Sequence, residues 1–275
     1  MTDETVKEPD SSLLDAVESA ADGGIAGRLF GGLMLPLRAV RFLLGNPKLW
    51  VYVAIPALIN IVLFVGSLYF LGTRIDWLLE YVWAEPVLDA WYDYLLKGIW
   101  YLVIAALTLF ISYIVVIVVG GIVASPFNDA LSEHVEERIL PDDRIVRDED
   151  ESIAWGILRS IAASAAIMGT YAAVMVPVML LNLIPGVGQV ASTGIGAVVS
   201  AFFLTLEFTD ATLDRRGRRL GDKVGLIRQN RTLSLGFGLG SSLLMWVPFL
   251  NFLTIPIAVV AGTAVGIAFD EQELA

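Results

Sequence analysis

Long uncharged apolar stretches, separated by short charged ones, set the architecture of this chain. Leu49 to Thr73 carries no charged side chain, and neither does Gly98 to Asn128, Ile161 to Leu206 or Thr232 to Phe269. A helix needs about 20 apolar residues to cross a hydrocarbon core. The first two stretches therefore predict one crossing each, span 1 over 49–73 and span 2 over 98–124. The third and fourth have room for two helices each, and both are broken in the middle. The first break is Asn182-Leu183-Ile184-Pro185-Gly186-Val187-Gly188-Gln189, and the second is centred on Pro248, Asn251 and Pro256. Breakers and amides at membrane depth are tolerated only where protein or a water-filled cavity satisfies the freed backbone groups. Two broken hairpins follow, 158–208 and 232–269. Helices of about 17 residues would span about 25 Å against a core of about 30 Å, so the second hairpin either crosses fully or enters and returns.

The charged segments divide the rest. Residues 1–27 hold seven acids against Lys7 and lack the basic start and apolar core of a signal peptide. They are expected to form a disordered acidic tail, with a short helix around Ser12 to Ala20 as its one ordered option. Arg28 to Leu44 reads as an amphipathic approach segment lying near lipid headgroups, ended by Gly45-Asn46-Pro47. Pro56, beside Asn60, predicts a kink early in span 1. Arg74 to Lys97 contains Trp77, Trp83 and Trp91 and reads as an interfacial segment. Ser125-Pro126 has the form of a helix start. Phe127, Leu131, Val135 and Ile139 then recur every fourth residue, with Asp129, Glu133, Glu136 and Glu137 facing elsewhere. This predicts an amphipathic cytoplasmic helix over 125–140. Pro141 to Glu151 is a charged loop.

The basic residues fix the expected orientation. Arg215, Arg216, Arg218, Arg219, Lys223, Arg228 and Arg231 crowd the 209–231 loop, and Arg28, Arg38, Arg41 and Lys48 precede span 1. By the positive-inside rule both termini, the 125–158 segment and this loop are cytoplasmic. A multi-pass protein of the cytoplasmic or inner membrane is expected, with residues 28–270 as one membrane domain. Composition agrees: 56% of the 275 residues are hydrophobic and 17% charged, with a mean hydropathy of +0.72. The chain has no cysteine and one histidine, His134, which removes disulfides, thiolate metal sites and any histidine-based metal centre or triad. No metal or cofactor is expected, nor an enzymatic activity. There is no phosphate-binding Gly-x-x-x-x-Gly-Lys-Ser/Thr loop, so solute movement would follow a gradient or couple to protons.

Several motifs, in order and at these spacings, resemble one family. They are Ile55-Pro56 with Asn60, and Ser125-Pro126-Phe127-Asn128 followed by Glu133 and Glu136-Glu137-Arg138. Then come Leu183 to Gln189, Asp210, and Val247-Pro248-Phe249-Leu250-Asn251 running into Ile255 to Thr263. From about Gly31 to Thr263 the chain resembles the CysZ-type sulfate permeases, also described as etoposide-induced-protein-like. The resemblance implies two long transmembrane helices, two pairs of half-penetrating helices, homo-oligomers and uptake of sulfate. It also implies an anion site where a Pro-Gly-Leu/Ile-Arg-Arg segment opens the first long helix. Here the matching positions read Pro47-Lys48-Leu49-Trp50-Val51, so Trp50 and Val51 stand where the family has its arginines.

The substrate-site candidates are accordingly Asn46, Pro47, Lys48 and Leu49, with Arg41 able to reach in from the preceding segment. Free N–H groups at a helix start favour anions, and Lys48 contributes a point charge rather than an arginine fork. Asn60, Asn182, Gln189, Glu207 and Asn251 are the pore or coupling candidates. The three amides at the breaks could equally bond backbone carbonyls that the breaks release. Glu207 and Asp210 read either as interface acids paired with Arg215 or Arg216, or, for Glu207, as a proton-coupling carboxylate. His134 is expected to be solvated. Gly236 with Gly240, and Gly262 with Gly266, allow close helix packing. The leading expectation is a permease or channel for a small inorganic anion. A non-transporting scaffold, binding partners through the acidic tail and cytoplasmic helix, is the alternative.

Overall fold

A computed structural model describes residues 10–82, 91–145, 153–246 and 251–274. Among the described residues every regular element is a helix. In chain order they are α1 (Ser12–Ala21), α2 (Ile25–Gly45), α3 (Trp50–Val82), α4 (Trp91–Ile139), α5 (Ile153–Leu180), α6 (Val187–Arg215), α7 (Leu220–Gln229), α8 (Arg231–Met245) and α9 (Asn251–Leu274). Short 3-10 turns occupy Pro47–Leu49, Asp142–Arg144 and Leu181–Leu183. Among the described residues five stretches are long and apolar enough to cross a membrane: Pro47–Thr73, Tyr94–Val116, Ala165–Leu183, Val187–Arg215 and Leu253–Leu274. The protein is an all-α, multi-pass membrane protein.

Two compact units divide the chain, Ala54–Ser125 on the one hand and Met1–Val53 with Pro126–Ala275 on the other. In the larger unit α9 is the central post. It is apolar on every side, and residues 256–270 are all buried, as befits a helix with no polar face. α2, α6 and α8 pack around it, and α8 lies between α2 and α6. Glycines let these backbones touch. A Cβ at Gly236 would lie 2.2 Å from the Leu29 carbonyl oxygen, and one at Gly240 2.4 Å from that of Leu33. On the opposite face of α8, a Cβ at Gly238 would lie 1.9 Å from the Ala201 carbonyl oxygen. Gly262 meets Phe208 in the same manner at 2.2 Å, so the glycine pairs pack helices as the sequence suggests.

The second broken stretch is therefore asymmetric. α8 has 15 residues, about 22 Å of helix, and is shielded mainly by protein, whereas α9 is long enough to span. Residues 247–250, with Pro248, lie outside the described residues. The first broken stretch forms a true hairpin of α5 and α6. Its tip turns at Gly186 with φ +77, and Gly188 sits where a Cβ would meet the Leu181 carbonyl oxygen at 1.9 Å.

Three expectations are corrected. The acidic N-terminal segment is not free over its whole length: α1 buries Leu13, Leu14, Val17, Ala20 and Ala21. Its acids point outward while the apolar positions, three and four apart, seal against α2 and α9. The Asp10 amide donates to the Arg138 carbonyl at 2.7 Å, and Arg38 donates to the Ala16 carbonyl at 3.2 Å. Second, Ser125-Pro126 starts no new helix. α4 runs through Pro126 without interruption; the proline removes one backbone bond from the helix without ending it. Third, the basic 209–231 segment is largely helical, with Gly217 at φ +71 in the turn between α6 and α7. In the 125–140 helix Leu131, Val135 and Ile139 are buried as expected.

Candidate solute and ion-pair sites

The segment that opens α3 is tied down by its own side chains. Asn46 follows α2, is 7% exposed, and donates its amide to the Phe42 carbonyl at 2.9 Å. Trp50 donates its indole N–H to the Leu43 carbonyl at 3.1 Å. The first satisfies a carbonyl that the end of α2 would leave unpaired; the second adds to one that also accepts from the Asn46 backbone N–H at 3.1 Å, a structural use of a position held by arginine in the family pattern. The amides of Leu49 and Trp50 are engaged by the Asn46 and Pro47 carbonyls in the 3-10 turn. Leu49 is buried among apolar neighbours and has no polar group to offer. Of the five substrate-site candidates, Asn46 and Leu49 are thus structural, Pro47 is exposed backbone, and Lys48 and Arg41 are exposed cations. Among the described residues neither cation is held by an acid.

One turn into α3, Tyr52 stacks on His134 of α4, with ring centroids 4.6 Å apart. The His134 Nδ1 lies 2.8 Å from the Ala130 carbonyl, which can only accept. That contact fixes the proton on Nδ1, so the Tyr52 hydroxyl donates to Nε2 at 2.9 Å. The histidine is half-buried and bonded at both nitrogens rather than solvated.

The most concentrated charge lies where α4, α6 and α9 meet. Glu136 is 1% exposed, and its carboxylate accepts from Arg215 at 3.1 Å and from Arg216 at 2.6 Å. Arg216 also reaches Asp270 at 3.3 Å, and Arg218 donates to the other Asp270 oxygen at 2.6 Å. The bond to Asp270 holds the Arg218 guanidinium above its already high ordinary value, so it stays charged. A hydroxyl group extends the network: Ser132 lies 2.8 Å from Arg215, 3.1 Å from Thr212 and 2.9 Å from Thr263. Buried charges are stable only when paired in this manner. The sequence reading placed Glu136 on the solvent side and paired Arg215 or Arg216 with Glu207 or Asp210; both placements are corrected. Asp210 instead binds Lys223 at 2.6 Å, and Lys223 reaches Asp214 at 3.1 Å. A cavity of about 250 Å³ opens beside this group, lined by Asp210, Asp214, Arg218, Arg219 and Lys223. Glu207 is exposed on α6 with no ion-pair partner among the described residues.

At the α5–α6 tip Asn182 behaves as a stitch in the break. Its amide donates to the Met179 carbonyl at 3.0 Å, and its oxygen accepts from Ser192 at 2.8 Å. A shallow cavity of about 300 Å³ lies against it, lined also by Met175, Thr193 and Gly196. The Gln189 side chain is exposed, and its backbone carbonyl accepts from Thr193 at 2.8 Å. Asn60, in the smaller unit, faces Gly120, and its side-chain oxygen is buried without a partner. Asn251 begins α9, and its side chain lies outside the described residues. Of the pore candidates, Gln189 and Glu207 lie on α6 and Asn182 in the turn before it, whereas Asn60 belongs to the smaller unit. The ion-pair network was missed because its members are dispersed in sequence. The available signal was a carboxylate at the end of each apolar helix, Glu136 and Asp270, opposite an arginine-rich turn.

Comparison with known proteins decides the family. The sequence model described as Sulfate transporter CysZ/Etoposide-induced protein 2.4 matches residues 35–256. The chain belongs to this family. A protein of Pectobacterium atrosepticum named Sulfate transporter CysZ is 29% identical over 226 residues, covering 80% of this chain and 79% of its own. One of Vibrio cholerae serotype O1 with the same name is 27% identical over 225 residues, covering 80% and 86%. The family resemblance read from the motifs is borne out, and the kinship is to transporters rather than enzymes. α1 precedes the matched region.

Proposed function

We propose that this protein is a permease for a small inorganic oxyanion, sulfate in the first instance, in the cytoplasmic membrane. The observation that carries the reading is the match to proteins named as sulfate transporters over 80% of the chain. The exposed, unpaired cations Arg41 and Lys48 beside the start of α3 support it, since they supply charge next to the segment where the family pattern has its arginine pair. Movement follows the sulfate gradient or is coupled to protons. Glu207, an exposed carboxylate on a membrane-spanning helix, is the coupling group we favour. Both termini and the basic segment face the cytoplasm, in keeping with the distribution of arginines. Homo-oligomers cover part of the large apolar surface left exposed on residues 94–116. A scaffold role has less support, because α1, the segment such a scaffold would offer, keeps its apolar face packed inward.

Sulfate binding to detergent-purified protein tests the proposal. The native protein should bind labelled sulfate, and Lys48→Ala should weaken binding at least tenfold, about 1.4 kcal/mol. Binding by Trp50→Arg and not by the native protein would remove sulfate as the substrate.

A further inference from the structure

The smaller unit contains a feature that its packing does not account for. Along residues 104–120 of α4 the positions withdrawn from solvent recur in steps of four, at Ile104, Thr108, Ser112, Val116 and Gly120, while most positions between them are exposed. Such a row is the ridge with which one helix packs on another. Its last member, Gly120, meets Asn60 of α3: a Cβ there would lie 2.1 Å from the Asn60 side-chain oxygen. An apolar ridge would be the simple solution inside a membrane. This one instead carries Thr108 Oγ1 and Ser112 Oγ, and ends on Asn60 Oδ1, and all three atoms are buried without a hydrogen-bond partner. Ser112 is 0% exposed.

A serine or threonine in a helix ordinarily satisfies its hydroxyl on the carbonyl one turn back, as Thr73 and Thr170 do. Thr108 and Ser112 do not, and they sit one turn apart on a packed face in the middle of an apolar span. Polar groups at that depth mark a path for polar solutes unless a partner satisfies them. Two hydroxyls one turn apart that can each donate suit an oxyanion that has shed part of its water; the Asn60 oxygen can only accept, and Gly120, which it meets, lies eight residues, about 12 Å, along α4 from Ser112.

We propose that Thr108 and Ser112, on the ridge of α4 that meets α3 at Gly120, bind the permeating oxyanion at membrane depth. The proposal rests on the permease reading above. It places the mid-membrane contact within one chain, on hydroxyl groups, apart from the cations at the start of α3.

The native chain has no cysteine, so a lone reporter thiol can be placed without background. Ser112→Cys is the first variant, and Thr108→Cys serves if that one does not fold; Ile111→Cys, on the exposed side of the same turn, is the control. Each is reconstituted in vesicles, assayed for labelled-sulfate uptake, and treated with an anionic methanethiosulfonate. The thiol at 112 or 108 should react, because anion passage requires the closed ridge to open to water, while that at 111, in lipid, should not. Sulfate at ten times its dissociation constant should slow the reaction about elevenfold, the factor 1 + [L]/Kd. An unreactive thiol in a protein that still transports sulfate would overturn the ridge proposal and leave the permease reading standing. A thiol that reacts at an unchanged rate in sulfate would make the ridge wet but not an anion site, and would overturn it equally. Absence of sulfate uptake by the native protein would instead sink the reading on which the proposal rests.

Discussion

Replacing Glu136 with alanine would leave Arg215 and Arg216 side by side in a dry site without the carboxylate that holds them together. The two guanidinium groups approach Glu136 at 3.1 and 2.6 Å, and their side chains are 14% and 8% exposed, so water cannot replace the lost partner. Removing one member of a buried ion pair costs about 3–5 kcal/mol. Two hydrogen bonds to charged groups, at about 1.5–3 kcal/mol each, give a similar sum. Arg216 keeps its contact with Asp270 at 3.3 Å, which places the expected loss toward the lower end. At about 2–4 °C per kcal/mol for a protein of this size, the midpoint of thermal unfolding in detergent should fall by roughly 6–20 °C. The native tryptophans report the transition. Glu133→Ala, on the exposed side of the same helix, should stay within about 0.5 kcal/mol of native. A cycle combining Glu136→Ala with Arg216→Ala should show coupling of about 1–3 kcal/mol. A Glu136→Ala midpoint within about 2 °C of native, or additive single effects, would refute the reasoning.

Three further outcomes follow from contacts. Gly238→Ala puts a methyl group against the Ala201 backbone at 1.9 Å, where no side chain can yield; α6 and α8 must part, and stability should fall by about 1–3 kcal/mol or more, whereas Gly194→Ala, with open space around it, should be harmless in the same unfolding assay. Tyr52→Phe keeps the ring against His134 and deletes only the 2.9 Å bond, so a loss of about 1 kcal/mol is expected, and it should vanish in a His134→Ala background. Val17→Asp places a charge at a 0% exposed position of α1; α1 should undock, and limited proteolysis should cut near Asp22 to Gly24 faster than in the native protein.

How much of this was legible in the sequence depended on where the information lay. Uncharged length and helix breakers are local, so the apolar cores of the long helices and the break between α5 and α6 could be read directly, but not that α3 runs on to Val82 and α4 from Trp91 through Pro126 to Ile139. The period of Leu131, Val135 and Ile139 gave the buried face of the α4 exit end for the same reason. α1 was harder. Its acids argued for disorder, yet Leu13, Leu14 and Val17 are apolar positions whose burial depends on a seat supplied by α2 and α9. Propensity and charge do not reveal that seat. The ion pairs were the least legible, since Glu136 and Arg215 are brought together by tertiary packing alone. The Trp50 position was readable as a departure from the family pattern, but not as the cap on the Leu43 carbonyl that it is. That contact ties the start of α3 to the end of α2.

Sulfate movement by this chain can be read from uptake of labelled sulfate into proteoliposomes holding only the purified native protein, with an inward sulfate gradient and equal pH on both sides, then with an added proton gradient. Saturable uptake that empty vesicles do not show, and that Lys48→Ala slows, is the predicted result. Uptake no faster than that of empty vesicles, under both gradients and with folded protein confirmed in the membrane, would contradict it.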